Sequence, residues 1–490
     1  MNSRLLNLLV LLFSAPSLAE TFLKQVHVVT RHGARTPLPK DADTLLESAG
    51  SILTPTGQKQ QYELGEWLKA RYPNVVAKYD PSLHRLESSA LDRTLVSANS
   101  LALGLFSEMA RFGDHTMALL PEKPANIPVY METASNDITI RSYQTCPVFQ
   151  ERLADLYDSA DWKTLESSSA SQNILRVLAD VFPDMADDGN AYVPLKHAYT
   201  AYDAIHVAKT ECDENPLAFS CLTLPNPDVR DSLPPDTWIG LEHLTHEAER
   251  LRYGMETAGN IVGSNLLWRI LNRMIDARAN TNTQSSSSSA GGEFFLYSAH
   301  YPTLLGLFSV LQEIPPAAVL PDYAAALIFE LHQDSESGIL FLQVYYKDGE
   351  QPDAIQVRLN KACNSKQGGT TSDTSDCPLN RILFWASTNT LTTQEDWCRA
   401  CRNTGADVCM KDALKHLDVV QSIEKTSSES GNDIVVGAAI GSFVGVLVLG
   451  LISMLLCYSV KVNNSNQKES AGAVGCDEET LSAKDSAVMT

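Results

Sequence analysis

Two mostly apolar runs bracket a long middle region in which short apolar stretches alternate with helical spacing. The first, residues 5–13, follows Arg4, is interrupted only by Asn7 and leads into Ser17-Leu18-Ala19. That charge, core length and small-residue exit predict a cleavable secretory signal over residues 1–19, because a membrane anchor needs a longer run. The second, residues 434–460, contains no charged side chain and is long enough to cross a bilayer with some tilt. It predicts a single C-terminal transmembrane helix, with residues 461–490 as a cytoplasmic tail and the region before it lumenal or extracellular. A lipid-anchor signal would end the chain in its apolar run, whereas here a polar tail follows. Gly437, Gly441 and Gly445 recur along one face of this helix, where two copies could pack closely as a homodimer.

In the middle region Val26-His27-Val28-Val29 reads as a buried strand. Thr54-Pro55 has the chemistry of an N-cap and first helical residue. Helical spacing then runs over residues 58–72 with Tyr62, Gly65 and Leu68 on one face. Glycine there costs about 1 kcal/mol relative to alanine, which points to close packing at Gly65. A second helix opens at Val96-Ser97-Ala98, and residues 112–263 mix helical stretches with Pro-Asp and Pro-Asn turns. Residues 261–275 return to apolar helical spacing, while 279–292 are a Ser, Asn and Gly run that reads as a flexible insertion. Residues 293–297 form a second buried strand, ending in Ser298-Ala299-His300-Tyr301-Pro302 before a leucine-rich helix. Residues 327–330 and 339–345, joined by 333–338, read as a hairpin.

The chemistry concentrates at the end of the first strand, in Arg31-His32-Gly33-Ala34-Arg35-Thr36-Pro37. Guanidinium groups grip phosphate oxygens through charge-assisted, often bidentate hydrogen bonds, and a glycine lets the backbone approach a ligand. Between two such arginines a histidine can attack phosphorus in line. Arg93, at the entry to the second helix, is placed for an anion by the helix N-terminus.

A net charge of −21 repels nucleic-acid phosphates and excludes nucleic acid as a partner. It suits a protein working at low pH, where protonated carboxyls relieve the self-repulsion. Cys146, Cys212, Cys221, Cys363, Cys377, Cys398, Cys401 and Cys409 lie in the lumenal part, an even number that points to disulfides in an oxidising compartment. Cys398-Arg-Ala-Cys401 has no second ligand pair, so no metal is expected. Cys457 and Cys476, in the span and the tail, read as free thiols.

The motif R-H-G-A-R-T-P resembles the R-H-G-x-R-x-P signature of the histidine acid phosphatases, the branch that includes prostatic and lysosomal acid phosphatases and phytases. The resemblance extends from Lys24 to Cys401. It implies an α/β fold, a mixed sheet with helices on both faces plus an inserted α-helical cap subdomain within residues 112–263. The phosphatase domain would then span residues 20–410, with 411–433 as a linker.

By the same resemblance His32 is the nucleophile of a phosphohistidine mechanism and Arg31, Arg35, Arg93 and His300 hold the phosphoryl oxygens. Pairs Cys146–Cys401, Cys212–Cys221, Cys363–Cys377 and Cys398–Cys409 are implied too, with no cofactor. The chain departs from the pattern at three places. Leu86-Glu87-Ser88-Ser89-Ala90-Leu91-Asp92-Arg93-Thr94 stands where the family has R-S-T-D-x-D-R-T, so Glu87 and Ala90 do not match. Tyr301 replaces the aspartic acid that protonates the leaving group, and a phenol of ordinary pKa about 10 donates far less readily. The expected activity is hydrolysis of small phosphate monoesters by a membrane-bound acid phosphatase of the secretory and endosomal-lysosomal system or cell surface. The alternative is an impaired pseudo-phosphatase that binds phosphate as a receptor or trafficking protein.

Overall fold

Val26, Val28 and Val29 are wholly inaccessible to solvent, because the strand that carries them has a neighbour on each edge and helices on each face. The computed structural model describes residues 21–45, 51–106, 127–186, 191–213, 219–224, 226–254, 259–281, 292–313, 320–363 and 376–411. The chain divides into two compact units, Met1–Lys415 and His416–Thr490, and the described residues all fall in the first.

The strands are β1 (Thr21–Arg31), β2 (His84–Ser88), β3 (Val129–Met131), β4 (Glu293–Ala299), β5 (Ala326–Asp334), β6 (Leu340–Lys347), β7 (Ile355–Val357) and β8 (Cys377–Pro378). They form one mixed sheet in the order β3-β2-β4-β1-β5-β6-β7, with β8 paired to β6. The first four positions in that order are mutually parallel, and the β1–β5, β5–β6 and β6–β7 pairings are antiparallel. Parallel strands finish at the same edge. Arg31 is therefore paired with Ala299, and both strands deliver their next residues, His32 and His300, to one place.

The helices are α1 (Pro55–Arg71), α2 (Asp92–Leu105), α3 (Pro147–Asp158), α4 (Ala160–Ser167), α5 (Ser169–Val181), α6 (Ala198–Cys212), α7 (Phe219–Leu222), α8 (Pro235–Tyr253), α9 (Gly259–Thr281), α10 (Tyr301–Val310), α11 (Asn360–Cys363), α12 (Leu379–Asn389) and α13 (Gln394–Cys401). Leu64 and Leu68 of α1 and Leu101 and Leu105 of α2 pack with Val26, Val28 and Leu296 on one face of the sheet. On the other face Leu266 and Ile270 of α9 and Leu304 and Leu307 of α10 pack with Val29 and Tyr297. A third core joins α3, α5, α6 and α8 around Phe149, Leu175, Ile205 and Leu241. This helical layer lies within the stretch expected to form the cap.

Thr54 caps α1 through its side chain, which accepts from Gly57 N, and Pro55 opens the helix. The buried face is Gln61, Leu64, Gly65 and Leu68 rather than one that includes Tyr62, which is 36% exposed. A Cβ on Gly65 would lie 2.2 Å from Leu101 O, so α1 and α2 touch backbone to backbone there. The second helix starts at Asp92, earlier than Val96, because an acidic residue suits the first turn and Thr94 Oγ1 donates to Leu91 O. Helix α9 continues to Thr281, so the first part of the expected flexible insertion is helical.

Disulfides join Cys146–Cys401, Cys212–Cys221, Cys363–Cys377 and Cys398–Cys409. Among the described residues no helix is long and apolar enough to cross a membrane, and no side-chain cluster could hold a metal ion. The predicted signal, the span 434–460, its glycine face, the tail, Cys457 and Cys476 lie outside the described residues.

Candidate active site

The motif loop is held from below by side chains of the two helices that cover it. Gln60 Oε1 accepts from Ala34 N at 2.8 Å, Gln61 Nε2 donates to Arg31 O at 2.8 Å, and Gly33 N donates to Ser97 Oγ at 3.2 Å. A Cβ on Gly33 would fall 2.1 Å from Gly57 O. The expectation that Gly33 leaves room for a ligand is thereby corrected: its missing side chain admits the first turn of α1.

His32 is 2% exposed and its Nδ1 lies 2.8 Å from Gly33 O. A carbonyl oxygen only accepts, so Nδ1 carries the hydrogen and the lone pair of the neutral ring is on Nε2. Burial, then the charges of Arg93, Arg31 and Arg35, hold its pKa well below the ordinary 6.5. The ring meets that of His300 edge-on at 5.4 Å between centroids. His300 is likewise held well below 6.5, by burial and then by Arg93 and Arg141. Its Nε2 is 2.9 Å from Ser89 Oγ, which lies 2.8 Å from Thr94 Oγ1.

Arg31, Arg35 and Arg93 are all buried around this pair. Arg31 donates to Pro321 O at 2.7 Å and lies over the Tyr323 ring at 4.1 Å. Arg35 is clamped by Asp203 of α6 through two bonds of 3.0 and 2.8 Å, and by the Tyr199 hydroxyl at 3.1 Å. Burial pushes the Asp203 carboxyl up, but Arg35 more than reverses this and holds it below the usual range. The Nε atoms of Arg31 and Arg35 are buried without a hydrogen-bond partner. Such donors are costly unless an acceptor meets them.

Tyr301 is buried at the start of α10, and its hydroxyl donates to Glu249 Oε2 of α8 at 2.6 Å. It accepts from Lys40 Nζ at 2.5 Å. Glu249 forms an ion pair with Arg252, both fully enclosed. Burial and the Glu249 charge push the Tyr301 phenol well above 10. Glu87 belongs to another network: Arg85, Arg269 and Arg273 all bond it. Burial opposes its charge, but Arg269 and Arg273 bring its pKa down to about 2.

The structure thus brings together Arg31, His32, Arg35, Arg93, His300 and Tyr301. It adds Lys40, Tyr199, Asp203, Glu249 and Tyr323, for which the sequence reading assigned no role. Lys40, three residues beyond Pro37, was the one with a local signal.

Two histidines and three arginines converge beyond the ends of the parallel strands, and residues 22–347 match the histidine phosphatase superfamily (branch 2), so the chain belongs to that family. It is 26% identical over 361 residues to the lysosomal acid phosphatase of Xenopus laevis, covering 71% of this chain and 76% of that one. It is also 26% identical over 395 residues to the prostatic acid phosphatase of Homo sapiens, covering 78% and 89%. A solved structure of Hafnia alvei phytase in complex with myo-inositol hexakis sulphate gives a TM-score of 0.51 over 77% of this chain and 98% of that one. At 14% identity this is a likeness of fold alone.

Proposed function

We propose that this protein is an acid phosphatase that hydrolyses small phosphate monoesters through a phosphohistidine on His32. The observation that carries the proposal is the fixed tautomer of a neutral, buried imidazole with its Nε2 lone pair available among Arg31, Arg35 and Arg93. Nε2 attacks phosphorus as the ester bond breaks, and the arginines with His300 balance the charge on the phosphoryl oxygens in transit. Water then releases phosphate from His32. The cations that would neutralise that charge are side chains of this chain, so no metal or cofactor is invoked.

The signal and span expected from the sequence support a type I membrane orientation, with the catalytic domain lumenal or extracellular in the secretory and endosomal-lysosomal system. A second reading, a phosphate-binding pseudo-phosphatase, draws on the engagement of the Tyr301 proton by Glu249. The readings separate on a trapping experiment. The protein is given a radiolabelled phosphate ester and quenched in alkaline denaturant, which preserves phosphohistidine. Label should appear on His32 and be absent from His32→Ala. Turnover without label on His32 would overturn the mechanism, and phosphate binding without turnover would favour the second reading.

A further inference from the structure

If the site is a phosphatase, something must protonate the leaving oxygen, and the hydroxyl of Tyr301 is badly placed to do so. Its one proton is directed to Glu249 Oε2 at 2.6 Å. Releasing it to substrate would leave a buried phenolate beside a carboxylate that is already ion-paired to Arg252. The group that donates to Tyr301 is Lys40, whose Nζ is 2.5 Å from the phenol oxygen. Its ammonium also lies over the faces of two rings, 4.1 Å from the centroid of Tyr199 and 4.6 Å from that of Tyr301. The Tyr301 ring has Arg31 Cζ at 5.5 Å, so the ammonium and the arginine of the motif share one aromatic surface.

Lys40 is half-buried, and the loop that bears it is pinned. Leu38 N donates to Asp203 Oδ2 at 2.8 Å, and this is the carboxylate that clamps Arg35. Its charge reaches the site as well: after burial, Arg93, Arg141 and His32, Lys40 is among the groups that disfavour protonation of His300.

We infer that Lys40 is the proton donor to the leaving group, in the role that the replaced aspartic acid would otherwise fill. This inference rests on the phosphatase reading above. His32 Nε2 forms the N–P bond, the P–O ester bond breaks with its electron pair on the leaving oxygen, and that oxygen takes a proton from Lys40 Nζ. Lys40 is left as a neutral amine. In the second half water attacks phosphorus, gives its proton to that amine, and the N–P pair returns to His32. An ammonium of ordinary pKa about 10.4 is a weaker acid than a carboxyl, yet proton transfer from it to an alkoxide is strongly downhill. Tyr301, fixed by Glu249, positions the ammonium.

The test measures kcat/KM of the full-length protein and its variants on an aryl phosphate with a nitrophenolate leaving group and on ethyl phosphate. Lys40→Met should lower ethyl phosphate hydrolysis by roughly 100-fold or more, and aryl hydrolysis by less than about 10-fold, because nitrophenolate leaves without a proton. Lys40→Arg keeps the charge and the ring contacts but not a releasable proton, so it should match Lys40→Met on ethyl phosphate. Equal losses on the two esters, or rescue of ethyl phosphate hydrolysis by Lys40→Arg, would assign Lys40 a merely electrostatic or structural role. If Tyr301→Phe reproduces the ester-selective loss and Lys40→Met does not, the phenol is the donor. A parent inactive on both esters would overturn the phosphatase reading itself, whereas an active parent with unselective variants overturns only the role of Lys40.

Discussion

Replacing Asp203 by asparagine keeps the shape of the side chain and removes the charge that pairs Arg35. Both partners are about 1% exposed, and the carboxylate meets two guanidinium nitrogens, the Leu38 amide and the Tyr199 hydroxyl. Removing one partner of such a pair strands the other charge, at a cost of about 3–5 kcal/mol. Arg31 lies close enough to disfavour the Arg35 charge further, which places the expectation toward the upper end. Unfolding releases about 2.1 cal/mol/K per residue, so over residues 21–411 this loss should lower Tm by roughly 4–6 °C. The assay is thermal unfolding of the full chain at neutral pH, with and without inorganic phosphate. On the proposed reading a phosphate dianion supplies negative charge beside Arg35, so phosphate should raise the Tm of Asp203→Asn more than that of the parent. A variant within about 1 °C of the parent would refute the premise that this clamp offsets the burial of Arg35.

Two further expectations concern pH. Glu87 is lowered from 4.5 to about 2, which corresponds to about 3 kcal/mol of stability that is present above pH 4.5 and lost as pH falls toward 2. Glu87→Gln should therefore be destabilised at pH 6 and converge on the parent near pH 2 in denaturant titrations, and a difference that stays constant with pH would exclude the arginine cluster as its cause. Because the pKa of His32 is held well below 6.5, its neutral form persists as the solution is acidified through that value. The acid limb of kcat/KM for an aryl phosphate should accordingly fall well below pH 6.5, and a midpoint at or above 6.5 would contradict the environment described for His32.

What the sequence revealed of the site is what is local in it. Arg31, His32 and Arg35 stand within five residues at the end of an apolar run, and His300 follows a second such run. Parallel pairing of those two strands then suffices to bring the histidines together. The residues that escaped reading have partners far along the chain: Asp203 and Glu249, on helices, are 168 residues from Arg35 and 52 from Tyr301, and Lys40, on a loop, is 261 from Tyr301. No periodicity encodes such pairs, and an acidic residue on a helix of mixed polarity looks solvated until the element it faces is known. Glu87 shows the converse. In the sequence it stood only as a mismatch to a family motif, whereas its three arginine partners bind it into a separate ion cluster.

The bond between Cys146 and Cys401 spans 255 residues and fastens the residue before α3 to the end of α13. Helix α13 is itself attached to α9 by Trp397, whose indole nitrogen donates to Ile261 O at 2.9 Å. The root of the helical layer is thus riveted to the frame of the catalytic sheet. From that layer Asp203 reaches Arg35 of the motif, and Glu249 reaches Tyr301 at the start of α10. Any pivot of the layer about its root would have to carry the disulfide and the Trp397 bond with it.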